Sequence, residues 1–330
     1  MVLSELSTAV SVGDSVMYPV VGWLNVEHGS GAGTADFGFV SIGVIAALGV
    51  IAMTAIGVAR RPEWRRALAR VGDVMPIRRF WEWTTARLGP PTSSLRARMR
   101  LQGVAGLTLI AGLVVVTFMA VGFTDLLDDV LEGDGVAVVD HPSARWLAQH
   151  RDVWLTHVLV AVTHGGGPAG QAVWLALVCA VAAVRGRSWL PVLLGAVGGG
   201  GIAAMIVLAK HLVGRPRPTS PFALIPATGF SFPSGHATGA AAIGLLCAWI
   251  LCRWVVRPWA AQVSVWAATG AAIALIGFSR LYLGVHFVTD VLAGWLLGAA
   301  WAGVVVLAGS WSVAERGRQP VRGPDCSHDS

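Results

Sequence analysis

Three groups of polar residues stand where long apolar runs meet loops. In the first, Lys210 is followed, after six intervening residues, by Arg217-Pro218. The second is Phe232-Pro233-Ser234-Gly235-His236. The third is Ser279-Arg280, then five residues, His286, three more, and Asp290. Together they supply three cations, two imidazoles, a carboxylate, two hydroxyls and a glycine at a helix start. That inventory suits a phosphate group: cations and free backbone N–H groups for its oxygens, and imidazoles for covalent and proton chemistry.

Each group has a chemical reading beside a plainer one. Pro233-Ser234-Gly235 predicts a helix N-terminus, since proline suits the first turn and small residues let backbone donors approach an anion. His236 then projects from that turn, able to give a proton near neutral pH; the plainer reading is a capping turn with an incidental histidine. His286 and Asp290 are four apart and share a helix face. A carboxylate there fixes the imidazole tautomer and supports the cation formed when the ring attacks. The plainer reading pairs Arg280 with Asp290 in a loop salt bridge. Lys210 is the only lysine in a chain that otherwise uses arginine for its cations, which favours a point-charge role over chance. Arg215, in Arg215-Pro216-Arg217-Pro218, is the neighbour most easily confused with Arg217. His157, His164 and His211 read as packed or interfacial side chains. These arguments by themselves leave open which of His236 and His286 would attack.

The elements that hold these groups are predicted to be membrane helices. Of 330 residues, 55% are hydrophobic and only 13% charged, with mean hydropathy +0.67; a water-soluble surface needs more charge. Seven runs approach the roughly 20 apolar residues of a span: 37–59, 104–122, 154–184, 189–209, 237–251, 260–277 and a last run from the third polar group to about 308. The Gly165-Gly166-Gly167-Pro168 stretch predicts a break near the start of the third run. Small residues at 198–201 and the Gly294/Gly298 pair predict close helix packing, the pair within the bundle rather than between copies. Residues 1–36 read as an outer lead and 310–330 as a disordered tail. The segment 60–103 holds eleven Arg against Glu63, Asp73 and Glu82, 11 − 3 = +8. It reads as a positive-inside loop, with contact to anionic lipid headgroups as the alternative; nucleic-acid binding is not expected between two spans. The 123–152 segment is acidic and reads as a solvated outer loop, with Asp128-Asp129 lacking the spacing of a calcium site. Cys179, Cys247, Cys252 and Cys326 have neither zinc-ligand nor disulfide-framework spacing, and residues 1–36 carry no cleavable signal pattern. With seven spans, Arg185/Arg187, Arg253/Arg257 and the basic linker fall on the cytoplasmic side, and the three polar groups fall together on the opposite one.

The three motifs, intact and in order, resemble the signature of the type 2 phosphatidic acid phosphatase (PAP2) family, which shares its site with vanadium haloperoxidases. The resemblance covers about 104–309. It implies an all-α integral membrane protein with a six-helix catalytic core, to which this chain adds one N-terminal transmembrane helix (37–59) and the 60–103 linker. It implies a mechanism without metal or other cofactor: His286 as nucleophile forming a phosphohistidine, Asp290 orienting it, and His236 as the acid for the leaving oxygen. Lys210, Arg217, Ser234, Gly235 and Arg280 would hold the phosphoryl oxygens. The expected activity is hydrolysis of a lipid phosphomonoester or diphosphate at the outer face of the cell membrane. Undecaprenyl diphosphate, phosphatidate and phosphatidylglycerol phosphate are the candidate substrates. The alternatives are a lipid phosphotransferase with the same site, or a lipid-binding or transport protein; charges gathered at span ends rather than mid-bilayer argue against transport. Nothing in the sequence sets the oligomeric state.

Overall fold

The computed structural model describes residues 93–316 except Ser220, with side chains over 109–312. The predicted 37–59 span, most of the basic linker and residues 317–330 lie outside the described residues. Within them the chain is helical and contains no strand. The helices are α1 (Ser93–Glu132), α2 (Asp140–Gln149), α3 (Val153–Gly165), α4 (Pro168–Gly186), α5 (Leu190–Val213), α6 (Gly235–Trp254), α7 (Trp259–Tyr282) and α8 (Val288–Arg316). Six of these (α1 and α4 to α8) are long and apolar enough to cross a membrane.

Helix ends follow local chemistry. Asp152 caps α3, its carboxylate accepting from Leu155 N at 3.0 Å. Gly167 and Pro168 break the predicted third run into α3 and α4, with the proline in the first turn of α4 where its missing N–H costs nothing. Gly214, at φ +64°, ends α5 in the left-handed conformation that glycine reaches without strain.

Several boundaries differ from the sequence expectation. α1 begins at Ser93, inside the predicted linker, and continues ten residues past 122 to Glu132. The acidic segment is therefore not a plain solvated loop. It holds the last turns of α1, a 3-10 turn (Gly135–Val139) and α2, and its Asp140 is only 1% exposed. Its acidic residues Asp125, Asp128, Asp129 and Glu132 ride on a continuous helix. Asp129 serves the turn that follows, accepting from Val136 N at 2.8 Å. Lys210, Ser279 and Arg280 sit in the last turns of α5 and α7 rather than in loops. α8 runs on to Arg316 where a tail was expected from 310.

α6 is the central helix. Of its apolar window 61% is buried, against 6% in α1 and in α7, and it packs on α4, α5, α7 and α8. Its Gly-His-Ala-Thr-Gly-Ala-Ala-Ala start has almost no side-chain bulk, so α8 comes close. A Cβ on Gly298 of α8 would collide with the Thr238 carbonyl and lie 2.9 Å from Ala241 Cβ; one on Gly294 would lie 2.9 Å from Thr238 Oγ1. The Gly294/Gly298 pair thus serves packing inside the bundle. At 198–201 the same rule holds: Trp301 of α8 fills the space over Gly201 and its Nε1 donates to the Gly198 carbonyl at 2.9 Å. Below them a core of Leu175, Val178, Leu194, Leu246, Ile250 and Val305 joins α4, α5, α6 and α8.

The bundle has two chemically different ends. Arg185 lies in the last turn of α4 with Arg187 just beyond it, and Arg253 lies in the last turn of α6 with Arg257 beyond it, at the end where Gly186 meets Trp254. All three polar groups gather at the other end, beside α2, α3 and the last turns of α1. There Phe232, fully buried, packs on Phe123, Leu126 and Ala293, burial that stabilises by roughly 2 kcal/mol.

Candidate active site

Four helix ends and two loops assemble the polar groups. Lys210 comes from the last turn of α5 and Arg280 from the last turn of α7. Arg217 comes from the 214–234 loop, and His286 from the short loop between α7 and α8. Ser234 is the N-cap residue of α6, with Gly235 and His236 in its first turn; Asp290 is in the first turn of α8.

Those loops are tied down at several points. Ser231 N donates to the Arg215 carbonyl at 2.8 Å and Leu224 N to the Leu283 carbonyl at 3.0 Å. Arg151 donates to the carbonyls of Tyr282, at 3.1 Å, and Phe222; burial lowers its pKa from the usual arginine value. Ser234 N donates to the Asp290 carbonyl at 3.0 Å, so the starts of α6 and α8 are fixed to one another.

Lys210, Arg217, Gly235, His236, Arg280 and His286 line one end of a single cavity of ≈ 1420 Å³. Asp290 stands behind His286 and is fully buried. Its Oδ2 accepts from Ser231 Oγ and from Phe287 N at 2.9 Å, and lies 3.3 Å from His286 Nδ1. On the other side of the ring, His286 Nε2 is 2.9 Å from Arg217 Nη1. A guanidinium can only donate, so Nε2 accepts and the ring proton lies on Nδ1, toward Asp290. Burial pushes the His286 imidazole down to about 4, with Asp290 opposing and Arg217 and Arg280 adding to the effect. At neutral pH its cavity-facing nitrogen therefore carries a lone pair. Burial also lowers the Arg217 guanidinium from its usual value, against the pull of Asp290.

The cationic side chains are braced by backbone and hydroxyl groups. Lys210 Nζ donates to the Phe230 carbonyl. Arg217 Nε donates to the Gly229 carbonyl at 3.0 Å and its Nη1 to the Val285 carbonyl at 2.9 Å. Arg280 Nη1 donates to Thr163 Oγ1 at 2.6 Å. Arg280 Nε and Ser234 Oγ are buried without a partner among the described residues, as donors facing a ligand would be. All eight residues singled out in the sequence thus lie at one end of the bundle. The expected alternative, a salt bridge from Arg280 to Asp290, is not formed: Asp290 pairs with Arg215, at 2.8 Å, and with His286.

Sequence reasoning missed a further layer. Arg215 bridges Asp290 and Asp140, Thr289 bonds both Arg215 and Asp140, and Gln171 Nε2 donates to the carbonyls of Gly166, at 2.7 Å, and His236, at 3.1 Å. His164, read as a packed or interfacial histidine, is exposed and on the cavity wall. Only the doubled Arg-Pro around 215 hinted at any of this; Asp140 was one acid among several in a charged segment.

Beyond the polar end the cavity becomes an apolar slot between α4 and α5. Ala172, Ala176 and Ala180 of α4 and Gly195, Gly199 and Ala203 of α5 line it, and it reaches Trp189 at the far end of the bundle. From Val192 to Lys210 is eighteen residues, about 27 Å of helix, close to the thickness of a bilayer's hydrocarbon core.

Comparison with known proteins agrees with this architecture. The PAP2 superfamily profile matches residues 189–313. Phosphatidylglycerophosphatase B of Bacillus subtilis (strain 168) is 32% identical over 174 residues, 52% of this chain and 84% of that protein. Decaprenylphosphoryl-5-phosphoribose phosphatase of Mycolicibacterium smegmatis is 34% identical over 142 residues, 41% of this chain and 68% of that one. The crystal structure of a transmembrane PAP2-type phosphatidylglycerolphosphate phosphatase from Bacillus subtilis superposes with TM-score 0.55 at 27% identity, covering 63% of this chain and 98% of its own. With this helical bundle and these relatives, the chain belongs to the PAP2 superfamily and is a multi-span membrane phosphoric ester hydrolase.

Proposed function

We propose that the protein removes a phosphate from a membrane lipid phosphate through a phosphohistidine on His286. The observation that carries this reading is the His286 ring held between Asp290 and Arg217, with its unprotonated Nε2 turned to a cation-lined cavity. A phosphate entering there takes over the Arg217 N–H, and the freed lone pair attacks phosphorus. The P–N bond forms as the P–O bond to the lipid breaks, and His236 passes its proton to the departing oxygen. The imidazolium is stabilised by Asp290. Water then attacks the phosphohistidine, giving its proton back to His236 and releasing phosphate. Lys210, Arg217, Arg280, the Ser234 hydroxyl and the free N–H groups at the start of α6 take the charge spread over the phosphoryl oxygens, the main catalytic contribution in such a transfer.

The names of the Bacillus relatives put phosphatidylglycerol phosphate first among substrates. A prenyl-linked phosphate is the second reading, supported by the mycobacterial relative's name and by a slot as long as a span. The Arg-bearing loops at the end opposite the site support a site on the outer face. A catalytic core over 104–309 with an additional crossing at 37–59 is the domain arrangement that goes with this orientation.

The test is phosphate release by the purified protein in detergent. Phosphatidylglycerol phosphate, undecaprenyl diphosphate and phosphatidate would be supplied without added metal and again with EDTA. Release from one lipid, unaffected by EDTA and abolished by His286→Ala, is the expected result. Release that survives the substitution, or that EDTA removes, overturns the mechanism.

A further inference from the structure

Behind the nucleophile lies a second charged layer that the phosphoryl chemistry does not touch. Asp140, in the first turn of α2, is 1% exposed. Its Oδ2 accepts from Arg215 Nη2 at 2.7 Å and from Thr289 Oγ1 at 2.5 Å, and its Oδ1 from Thr289 N at 3.0 Å. Arg215 turns its other nitrogen to Asp290 Oδ1 at 2.8 Å and to Thr289 Oγ1 at 2.8 Å. Its guanidinium lies 4.4 Å from the centre of the Phe287 ring. One guanidinium thus serves two buried carboxylates, one of which orients His286. Salt bridges to fully buried carboxylates are costly to form and more costly to break by halves, so their presence beside the reacting histidine asks for a role.

We infer that Asp140 is a positioning residue for His286, acting through Arg215 and Thr289 on Asp290. This rests on the phosphohistidine reading above. Two physical routes carry it. Asp140 draws part of the Arg215 charge to itself, so more of the negative charge of Asp290 faces His286 when the ring becomes cationic during attack. Asp140 also holds the backbone and hydroxyl of Thr289, fixing the turn of α8 from which Asp290 points. Arg215 and Thr289 are positioning residues by the same argument. An acid in a segment distant in sequence, 150 residues from Asp290, thereby sets the aim and charge of the nucleophile.

Orthovanadate and orthophosphate separate these roles. Vanadate accepts a fifth ligand from an attacking nitrogen, so its affinity reads the aim of His286; phosphate reads the cation shell of Lys210, Arg217 and Arg280. The experiment measures binding of both by calorimetry to the full-length protein in detergent, for wild type, Asp140→Asn, Thr289→Val and His286→Ala, with phosphate release from phosphatidylglycerol phosphate alongside. For Asp140→Asn the expected result is vanadate affinity and kcat both lower by roughly 10- to 100-fold, as for a small misplacement of a reacting group. Phosphate affinity and KM stay within about twofold, the mark of an interaction that matters only in the transition state. Wild-type vanadate affinity and kcat would overturn the inference, as would vanadate and phosphate weakening together. Should Asp140→Asn fail to give monodisperse protein, Thr289→Val, which keeps the charges and removes one hydroxyl, must show the same split in smaller measure; wild-type behaviour there overturns the inference. Phosphate release retained by His286→Ala would instead refute the phosphohistidine reading itself.

Discussion

His286 is where burial and function meet. It is 2% exposed, and its imidazole is lowered to about 4 by that burial. The unfolded chain, with a histidine pKa near 6.5, binds a proton that the folded protein refuses between those two values. Stability is therefore full above about pH 6.5 and falls as pH drops toward 4, by about 3 kcal/mol from this residue. Thermal melts in detergent from pH 7.5 to 4 should show that decline, and His286→Gln, with no proton to refuse, should show a flatter profile. A variant that declines as steeply as wild type would place the acid sensitivity elsewhere.

At the scale of elements, the starts of α6 and α8 and the slot between α4 and α5 decide what the site can do. α8 reaches α6 only because Gly298 and Gly294 lack side chains. Gly298→Leu would drive a branched side chain into the Thr238 carbonyl and should cost about 3 kcal/mol or more, since backbone cannot give way as a side chain can. A melt lowered by several degrees, or loss of monodisperse protein, is the expected outcome. The slot makes a different prediction. Ala176→Trp puts a bulky side chain into the slot and leaves Lys210, Arg217 and the histidines unchanged. Hydrolysis of long-chain lipid phosphates should fall at least about tenfold, while p-nitrophenyl phosphate, which needs only the polar end, should be turned over at the wild-type rate. Equal loss on both substrates would mean that the slot does not hold the lipid chain.

The molecule as a whole is polarised along the bundle axis. Acidic α1 and α2 turns and the site lie at one end, with Arg185, Arg187, Arg253 and Arg257 at the other. If the site faces outward, a membrane-impermeant thiol reagent added to intact cells should label a cysteine at Trp146→Cys, on the exposed face of α2, but not one at Arg257→Cys. These would be made in a background with the four native cysteines replaced by serine. The reverse pattern would put the site in the cytoplasm. Such polarity was readable from the sequence, because apolar run length and the placement of arginines act independently of how the helices pack.

What the sequence determined by itself was the inventory and its order. Run lengths predicted the crossing helices, and three short motifs marked residues that gather at one end of the bundle, since helix starts, i, i+4 pairs and bilayer thickness are local constraints. The break at Gly167-Pro168 was legible for the same reason. Tertiary structure alone decided the second layer. Arg215 and Arg217 have near-identical local surroundings, yet one faces His286 and the other is locked between Asp140 and Asp290. Asp140 looked like any acid of a charged loop until the fold removed it from water and brought it to Arg215. Pairing across 75 and 149 residues leaves no periodic trace, because the energy that selects it, compensation of a buried charge, exists only once the surrounding helices have excluded solvent.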